Sequence, residues 1–389
     1  MERSHDDAQI DRALQNQSLS FEDLIEENWA ELPGSGVWLP EYQVYFVVTR
    51  AIYSSGSLAE SPISFLRGRI FDALWNHLDN YTLDWDEDPI IFPRTFDIPL
   101  VRDENGTFVG PEDPRVILEA DVPGAEPVIV FNMLSEEVDG KRAMWTHRPF
   151  TNITKALTIR GEVVKREERN WAPFFHSEPS VPRQPSHHLN FVYSMQPLCI
   201  LRCHLRHGRC DWTYKQDLSE KQSEVLVRMR GSTNFIQVHE SDPDISLWVG
   251  FPRTQIDGGC GSGNPIYRPE LVVLANSGRE FHMVYASEAI DFGTAVLDEA
   301  AREAPCTDGR LLMPNGILRW DQDRRDLLQL ALNVGDRSTR VLPLRGVSQL
   351  VRSLPYLMDW RREASPDGQP WGQRWSAVGA DVVGCAIGI

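Results

Sequence analysis

The runs LNFVYSM (189–195), LCILRCHL (198–205) and CDWTYK (210–215) decide the fold class of this chain. Each run is short and either apolar or alternating, and the last two are separated by a segment that contains His207-Gly208. Short runs of this kind, bounded by turn residues, are typical of β-strands. We therefore predict neighbouring strands here, with a hairpin turn at His207-Gly208.

The same pattern fills most of the chain after residue 90. More than a dozen such runs occur, among them PIIFPRTFDIPLV (89–101), PVIVFNML (127–134) and ELVVLAN (270–276). Helical patterns are confined there to 288–304 and 347–361. Many short strands indicate a sandwich, a barrel or a propeller. In a chain of 389 residues the strand count favours an all-β fold with a five-bladed β-propeller, and two sandwich domains are the alternative.

The first part of the chain has helical patterns. Ser20 is placed to cap a helix through FEDLIEENWAEL (21–32), with acidic residues in its first turn, where the helix dipole favours them. The apolar residues of SPISFLRGRIFDALWNHLDN (61–80) fit a 3.6-residue period, which predicts a second helix. We expect a helical N-terminal extension over residues 1–35 and a β-propeller catalytic domain over residues 36–389.

Composition excludes several classes of protein. The formal net charge of −17 argues against a general nucleic-acid binder and against a protein that coats anionic membranes. No run of eighteen apolar residues is present, and the polar, acidic start is unlike a signal peptide. Four Asn-x-Ser/Thr sequons, which matter only in a secretory lumen, lie at Asn16, Asn80, Asn105 and Asn152.

The six cysteines permit disulfides without requiring them. Cys203 and Cys210 flank the predicted turn, so a cross-strand bridge and free thiols both remain open. The spacing in CILRCHLRHGRC (199–210) matches none of the common zinc patterns. With 56 acidic residues, Asp-x-Asp matches such as 84–86 and 321–323 are expected by chance. We assign no metal and no cofactor.

The leading catalytic candidate lies in GPEDPR (110–115), which a β-like run, VILE, follows at once. A proline fixes its own φ and pushes the residue before it towards extended geometry. We therefore expect an extended Asp113 with Arg115 on the same face. A rigidly held aspartate beside an arginine suits proton transfer to or from a sugar hydroxyl. The alternative is a surface turn with an ordinary ion pair.

Two further segments carry candidate binding residues. In KREERNWAPFF (165–175), Trp171 adjoins a bend ordered by proline and would serve as a stacking platform for a sugar, or simply pack at a strand edge. In RMRGSTNF (228–235), Arg230 precedes Gly231, Ser232 and Thr233. Small donors beside an arginine suit a phosphate cradle, and a turn between strands is the alternative.

The glycine-rich segment GGCGSGNPIYRPE (258–270) has the same layout as the segment around Asp113. A loop is followed by charged residues with proline, here including Tyr267 and Arg268, and then by a strand. In a propeller, two such strand openings would face one central pocket. In MPNGILRW (313–320), Asn315 is a candidate ligand contact, although Asn-Gly is also a turn signal.

Six segments carry a family resemblance: GPEDPRVI, ERNWAPF, NFVYSMQPLCILR, RGSTNF, GFPRTQIDGGCGSGNPIYRPELVVL and LLMPNGILRWD. Taken in this order, they resemble the fungal β-mannosyltransferases of glycosyltransferase family 91, which make β-1,2-mannosides of cell-wall mannan. The resemblance runs from about residue 35 to about residue 350, and its most specific parts are Glu-Asp-Pro-Arg and Tyr-Arg-Pro. A more distant similarity is to the β-mannoside phosphorylases of glycoside hydrolase family 130, five-bladed propellers that share the first motif.

The resemblance implies roles for individual residues. Asp113 matches the general acid/base of the phosphorylases, and Glu112 and Arg115 match its companions, which grip the reacting sugar. Tyr267 and Arg268 would lie at the anionic part of the donor. The family's location implies the secretory pathway, in the Golgi lumen, with membrane contact only through an N-terminal anchor that this sequence lacks.

The predicted reaction is an inverting transfer of mannose from GDP-mannose to the 2-hydroxyl of a mannoside acceptor. Asp113 would accept the hydroxyl proton, Arg115 would keep it ionised, and Arg230 and Arg268 would hold the diphosphate. One alternative is a β-mannoside phosphorylase or hydrolase that uses Asp113 as the acid. A second is a propeller lectin that binds mannosides without turnover.

Overall fold

A computed structural model describes the parts of the chain on which this account rests. They are residues 29–53, 63–86, 88–100, 109–138, 140–163, 165–176, 184–216, 229–231, 233–239, 245–256, 266–278, 280–293, 296, 311–335 and 338–354. Regular structure in these residues is almost entirely β-strand, which confirms the predicted all-β class. None of the helices in the described part is long and apolar enough to cross a membrane.

The chain divides into two compact units. The first unit comprises residues 1–169 with 206–208, and the second comprises residues 170–205 with 209–389. The boundary predicted between residues 35 and 36 falls inside the first strand, Trp29–Leu39.

The described residues of the first unit form three antiparallel sheets, with strand orders β1-β2-β3-β6, β10-β9-β8-β7 and β4-β5. Its strands are β1 (Trp29–Leu39), β2 (Val44–Tyr53), β3 (Ile63–Phe71), β4 (Tyr81–Trp85), β5 (Asp88–Phe92), β6 (Arg94–Thr95), β7 (Glu112–Ile117), β8 (Val128–Ser135), β9 (Lys141–Arg148), β10 (Ile153–Ala156) and β11 (Thr158–Ile159). A 3₁₀ turn at Glu136–Val138 joins β8 to β9.

Aromatic side chains pack closely on the first sheet. Phe46 and Phe92 are fully buried, and their rings meet edge to face at 5.7 Å. A Cβ atom at Gly68 would lie 2.7 Å from Phe96 and 3.0 Å from Phe92. Only glycine leaves room for these rings, so this position in β3 is decided by packing.

The helix predicted at 61–80 is wrong, because its described residues contain the strand β3. This strand pairs with β2 along its whole length, and its burial alternates over Arg67, Gly68 and Arg69. Residues 29–32 of the helix predicted at 21–32 are likewise strand, paired with residues 50–53 of β2. The rest of the predicted N-terminal helix lies outside the described residues. Pairing between distant segments overrides local periodicity at both places.

The second unit is also built from antiparallel strands. They are β12 (Ala172–Phe174), β13 (His188–Met195), β14 (Leu198–His204), β15 (Arg209–Lys215), β16 (Met229–Arg230), β17 (Ile236–Gln237), β18 (Ser246–Gly250), β19 (Arg253–Ile256), β20 (Ile266–Pro269), β21 (Val272–Ser277), β22 (Glu280–Ala286), β23 (Leu312–Asp321), β24 (Leu327–Val334) and β25 (Ser338–Arg345). Neighbouring strands pair in the orders β15-β14-β13-β12, β16-β19-β20, β17-β18-β21-β22 and β23-β24-β25.

The hairpin predicted at His207-Gly208 is confirmed, and its two strands are cross-linked. Cys203 of β14 and Cys210 of β15 are opposite each other in the register and form a disulfide. Of the two alternatives left open by the sequence, the structure therefore contains the bridge.

Helix is scarce among the residues of the second unit that the structure describes. The pattern at 347–361 yields one short helix, α1 (Val347–Arg352), whose C-cap is Ser353. Asp326 accepts hydrogen bonds from the backbone N–H groups of Ser348 and Gln349 in its first turn. Residues 288–293 of the pattern at 288–304 are not helical, and most of its remainder lies outside the described residues.

Candidate functional site

Asp113 lies at an irregularity in the edge strand β7. Glu112 pairs with Asn132 of β8 and Arg115 pairs with Val130, so the register shifts between Glu112 and Arg115. Such a bulge bends a strand and re-aims a side chain, and bulges are common next to active sites. The Asp113 side chain is therefore presented away from the regular alternation of the sheet.

The prediction of an extended Asp113 is wrong, because its φ is +54°. This left-handed region is unusual for a residue with a side chain, and aspartate is among the residues that enter it most readily. Backbone strain of this kind persists only where the surroundings fix it, and it concentrates at functional sites. Asp113 is nevertheless rigidly placed, through the bulge rather than through extended geometry.

Three polar side chains beside Asp113 lie on one face of the sheet. Glu112 is opposite Asn132, Asn132 is opposite Met144, and Arg142 is two residues from Met144 on β9. Because residues two apart in a strand share a face, this register brings Glu112, Asn132 and Arg142 together. Asn132 is 2% exposed, so its hydrogen bonds must be made within the protein.

These side chains form a connected polar network. Arg142 Nη1 lies 2.6 Å from Glu112 Oε1 and donates to Asn132 Oδ1 at 2.7 Å. Asn132 Nδ2 lies 3.4 Å from the Glu112 carbonyl oxygen and 3.5 Å from Asp113 Oδ2. Arg50 Nη1 lies 3.9 Å from the second carboxylate oxygen of Glu112. The side chain of Glu112 is thus connected to that of Asp113 through Arg142 and Asn132, neither of which was predicted from the sequence.

Arg115 is close to Asp113, but the contact involves the backbone. Its Nη1 donates to the carbonyl oxygen of Pro114 at 3.0 Å and to that of Asp113 at 3.4 Å. These bonds brace the bulge itself. The role predicted for Arg115, to keep the Asp113 carboxylate ionised, stays a prediction.

The predicted donor-binding residues Arg230, Tyr267 and Arg268 lie on the three-stranded sheet β16-β19-β20 of the second unit. Arg230 is opposite Arg253, and the guanidinium of Arg253 lies over the ring of Tyr267, 5.0 Å from its centroid. Arg253 also donates to Asn170 Oδ1 at 3.2 Å. Arg230, Arg253 and Tyr267 therefore form one surface, which we call the arginine face.

Arg268 leaves this sheet on the other side. It is opposite Thr254, whereas Arg253 is opposite Pro269, so Arg253 and Arg268 alternate across the pleat. The next residue after this strand, Glu270, is 2% exposed, and burial raises the pKa of its carboxyl to about 7. Oε2 of Glu270 finds no hydrogen-bond donor among the described residues. Arg230 and Arg268 thus do not form a single clamp on this sheet.

Trp171 is 3% exposed and packs against Phe191 and Tyr193, with ring centroids 5.6 and 5.3 Å away. This burial does not fit an exposed stacking platform and agrees with the alternative of a packed tryptophan. Trp171 contributes to the core, where aromatic rings bury large areas.

The predicted phosphate cradle after Arg230 is internal to the protein. A Cβ atom at Gly231 would lie 2.7 Å from the Cβ of Ala172, and the Thr233 hydroxyl accepts a hydrogen bond from the Phe251 N–H at 2.8 Å. Thr233 is fully buried, and Ser232 lies outside the described residues. Gly231 and Thr233 therefore serve packing rather than a phosphate.

Asn315 is not in a turn. It lies inside β23 (Leu312–Asp321), 4% exposed, where the register against β24 shifts between Pro314 and Gly316. The Asn-Gly pair therefore marks a bulge within a strand, and the plain-turn alternative is wrong. Its predicted contact with a ligand stays a prediction.

Sequence reasoning missed Asn132, Arg142 and Arg253. Each lies within or beside an apolar strand, and no short motif marks it. A polar residue inside an apolar run, such as Asn132 in PVIVFNML, was the available signal, because buried polar groups are the informative exceptions. In the part of the chain that the structure describes, no group of three or more His, Cys, Asp or Glu side chains is arranged to hold a metal ion.

Comparison with known proteins identifies the family. A family model described as Beta-mannosyltransferases matches residues 7–144 and 136–387. Beta-mannosyltransferase 1 of Komagataella phaffii is 33% identical over 352 residues, which cover 86% of this chain and 53% of that protein. Beta-mannosyltransferase 3 of Candida albicans is 31% identical over 365 residues, which cover 89% and 64%. The chain spans about half the length of the first of these relatives.

Solved structures are more distant. A structure reported in work on mannoside phosphorylases and glycoside hydrolases that target β-1,2-mannosidic linkages in Candida mannan has 10% identity and a TM-score of 0.45, covering 81% of this chain and 84% of that one. A GDP-mannose-dependent mannosyltransferase from Leishmania mexicana has 8% identity and a TM-score of 0.40, covering 78% and 81%. These likenesses are too remote to support any assignment, whereas the relatives and the family model agree with the predicted family. The chain therefore belongs to the beta-mannosyltransferase family.

Proposed function

We propose that this chain transfers mannose from GDP-mannose to the 2-hydroxyl of a mannoside acceptor, with inversion, and so forms a β-1,2-mannoside. Family membership supports mannosyl transfer as the reaction class. The observation that carries the proposal is the setting of Asp113. Its side chain is exposed, its backbone lies in a bulge with a φ of +54°, and the Asn132 amide approaches its carboxylate.

The proposed step uses the Asp113 carboxylate as the base. The acceptor 2-hydroxyl attacks the anomeric carbon, its oxygen forms the new glycosidic bond, and its proton passes to Asp113. The bond from the anomeric carbon to the phosphate oxygen breaks, and GDP leaves with that electron pair. Asn132 Nδ2 approaches Asp113 Oδ2 as a hydrogen-bond donor, so this oxygen is an acceptor in the structure, as a base would be.

The arginine face is the proposed contact for the anionic part of the donor. Arg230 and Arg253 are cross-strand neighbours, and guanidinium groups match phosphate oxygens in both charge and geometry. Tyr267 holds the Arg253 guanidinium by a cation–π contact. Arg268, which leaves the sheet on its other side, remains the competing candidate.

The proposal keeps the five-bladed propeller as the arrangement of the sheets. Its support is the run of antiparallel sheets whose successive strands lie side by side, as in β7 to β10 and β12 to β15. An experimental structure of the chain would test this arrangement directly, and a count of blades other than five would contradict it.

The proposal also includes the secretory lumen, in the Golgi, as the place of action. The Cys203–Cys210 disulfide supports an oxidising compartment. Asn80 and Asn152, which begin two of the sequons, are exposed. After production in a fungal secretory host, an endoglycosidase should reduce the apparent mass of the protein. If the double variant Asn80→Gln/Asn152→Gln shows no such decrease in mass, the glycans are on these two asparagines. A secreted protein whose mass the enzyme does not change would contradict the use of these sequons.

Two reaction mixtures separate the proposed function from its alternatives. The first contains GDP-mannose and mannobiose, and the second contains β-mannobiose and phosphate. We expect a mannotriose and GDP in the first mixture. Mass spectrometry identifies both products, and the one-bond carbon–proton coupling at the new anomeric centre identifies its configuration. Mannose 1-phosphate formed only in the second would overturn the proposal in favour of a phosphorylase, and free mannose formed there without phosphate would indicate a hydrolase. Mannoside binding without any product from either mixture would indicate a lectin.

A further inference from the structure

We infer that Asn132 is a positioning residue for Asp113, and that Arg142, held by Glu112, fixes the direction in which the Asn132 amide points. The inference rests on the proposed function, because it assigns the Asn132 amide a part in presenting the base. It starts from a contact between side chains on neighbouring strands, Asn132 Nδ2 to Asp113 Oδ2.

The direction of the Asn132 amide follows from the chemistry of its neighbours. A guanidinium group can only donate hydrogen bonds, so the atom of Asn132 that lies 2.7 Å from Arg142 Nη1 must be the carbonyl oxygen. The NH₂ group then faces two acceptors, the Glu112 carbonyl oxygen and Asp113 Oδ2. A flipped amide would place NH₂ against the arginine and its oxygen against two other oxygens.

Arg142 is itself held in place. Its Nη1 lies 2.6 Å from Glu112 Oε1, and the two side chains are 13% and 12% exposed. Its Nε also lies 3.7 Å from Glu167 Oε1. Removing one partner of so enclosed an ion pair leaves the other charge poorly solvated. Glu112 thus acts on Asp113 through Arg142 and Asn132.

The bulge fixes the backbone of Asp113 but not the rotamer of its side chain. Asp113 is exposed, and the register irregularity leaves its side chain without the packing of a regular strand position. The 3.5 Å contact is at the long end of hydrogen bonding. Catalytic hydrogen bonds are often long before substrate binds and tighten in the complex. We expect this donor, once it tightens, to favour one rotamer of the carboxylate.

The test replaces Asn132 by leucine, which keeps the approximate volume and removes the NH₂ donor. We expect kcat for mannosyl transfer to fall about 10-fold to 100-fold, since small misplacement of a reacting group has costs of this size. KM for GDP-mannose should stay within about threefold, because this network is not the proposed donor contact.

A second variant removes the residue that orients the Asn132 amide, without altering Asn132 itself. Arg142→Met should lower kcat as Asn132→Leu does, and Arg142→Lys should restore part of the loss. The double variant Asn132→Leu/Arg142→Met should show no further loss of kcat if both residues act through one amide. Asn276→Leu is the matched control, since Asn276 is also a buried asparagine that donates to a backbone carbonyl, in the β21–β22 hairpin.

A crystal structure of the parent and of Asn132→Leu supplies a readout that does not depend on activity. We expect one Asp113 rotamer in the parent and several, or a different one, in the variant. An unchanged rotamer, or an unchanged kcat in a folded variant, would overturn the inference. If the rotamer changes in the variant but the parent itself transfers no mannose, the positioning role is retained and the proposed function is rejected.

Discussion

Arg253 is directly opposite Arg230 across β16 and β19, and its guanidinium lies 5.0 Å from the centroid of the Tyr267 ring. Two arginines that share a face must be neutralised by a partner or by solvent, and a diphosphate offers two adjacent anionic groups. Arg268, next to Tyr267 in sequence, points from the opposite face. Arg230 and Arg268, which were predicted to hold the diphosphate together, therefore lie on opposite faces of one small sheet.

This division predicts different effects for two otherwise similar substitutions. Arg253→Met should weaken GDP-mannose binding about 10-fold to 100-fold, the range expected when a hydrogen bond to a charged group is removed. Arg268→Met should have a smaller effect, because its side chain leaves the other face. Isothermal titration with GDP and GDP-mannose measures both, and the reverse order would move the proposed donor contact to Arg268.

Glu270 predicts a dependence of stability on pH. Its pKa is raised from 4.5 to about 7 by burial, so the native state binds more protons than the unfolded state between these values. The free energy of unfolding should therefore fall as pH rises from 4.5 to 7. Glu270→Gln, which cannot ionise, should gain about 2–3 kcal/mol over the parent across this window.

Chemical denaturation at pH 4.5 and pH 7.5 measures this gain. Glu288→Gln is the control, because Glu288 is exposed in the same unit. An equal difference between Glu270→Gln and the parent at both pH values would show that the carboxyl is already solvated in the native state.

His147 leads us to expect the opposite pH dependence, a loss of stability in acid. Burial, and secondarily the charge of Arg94, lowers its pKa from 6.5 to about 3. Its Nδ1 lies 2.8 Å from the Thr154 hydroxyl. The unfolded state binds the proton more readily, so stability should decline as pH falls from 6.5 towards 3.

Replacing this histidine should remove that part of the acid sensitivity. Relative to the parent, His147→Gln should gain about 3 kcal/mol in free energy of unfolding between pH 7 and pH 4, whatever packing it loses at pH 7. His77→Gln, at an exposed position of the same unit, is the control. Parallel pH profiles for His147→Gln and the parent would contradict a buried neutral histidine.

The Cys203–Cys210 disulfide closes a short loop with a sequence separation of 7. The loop-entropy model gives a stabilisation of about 2–3 kcal/mol for a loop of this size. Cys203→Ser should lower the free energy of unfolding by that amount, and a reducing agent should lower the parent to the same level. Cys199→Ser is the control on the same strand. If reduction leaves the parent unchanged, the bridge contributes nothing to stability.

The family and the all-β class could be predicted from the sequence because both depend on local patterns. Short runs between turn residues identify strands wherever they lie, and the His207-Gly208 hairpin follows from its own residues. The stretch 63–71 was different, since Phe65, Leu66, Ile70 and Phe71 fit a helical period as well as a strand. Its full pairing with β2, a non-local contact, decided between them.

The candidate site was predicted only as far as its motif reaches. Proline chemistry argued for an extended Asp113, whereas the register shift against β8 placed it in the left-handed region. Asn132 and Arg142 lie 19 and 29 residues beyond Asp113 in the printed chain and meet it only through the register of three strands. No spacing rule within one strand could have joined them.

The most direct test of the central claim compares two aspartates of the first unit. Asp113 and Asp121 are both exposed and both have positive φ, +54° and +56°, so asparagine should be tolerated equally well at either position. With GDP-mannose and mannobiose at saturation, we predict that Asp113→Asn lowers kcat about 10²-fold to 10⁴-fold, the range for loss of a general base, while Asp121→Asn retains the parent rate. A folded Asp113→Asn protein that transfers mannose at the parent rate would contradict the account.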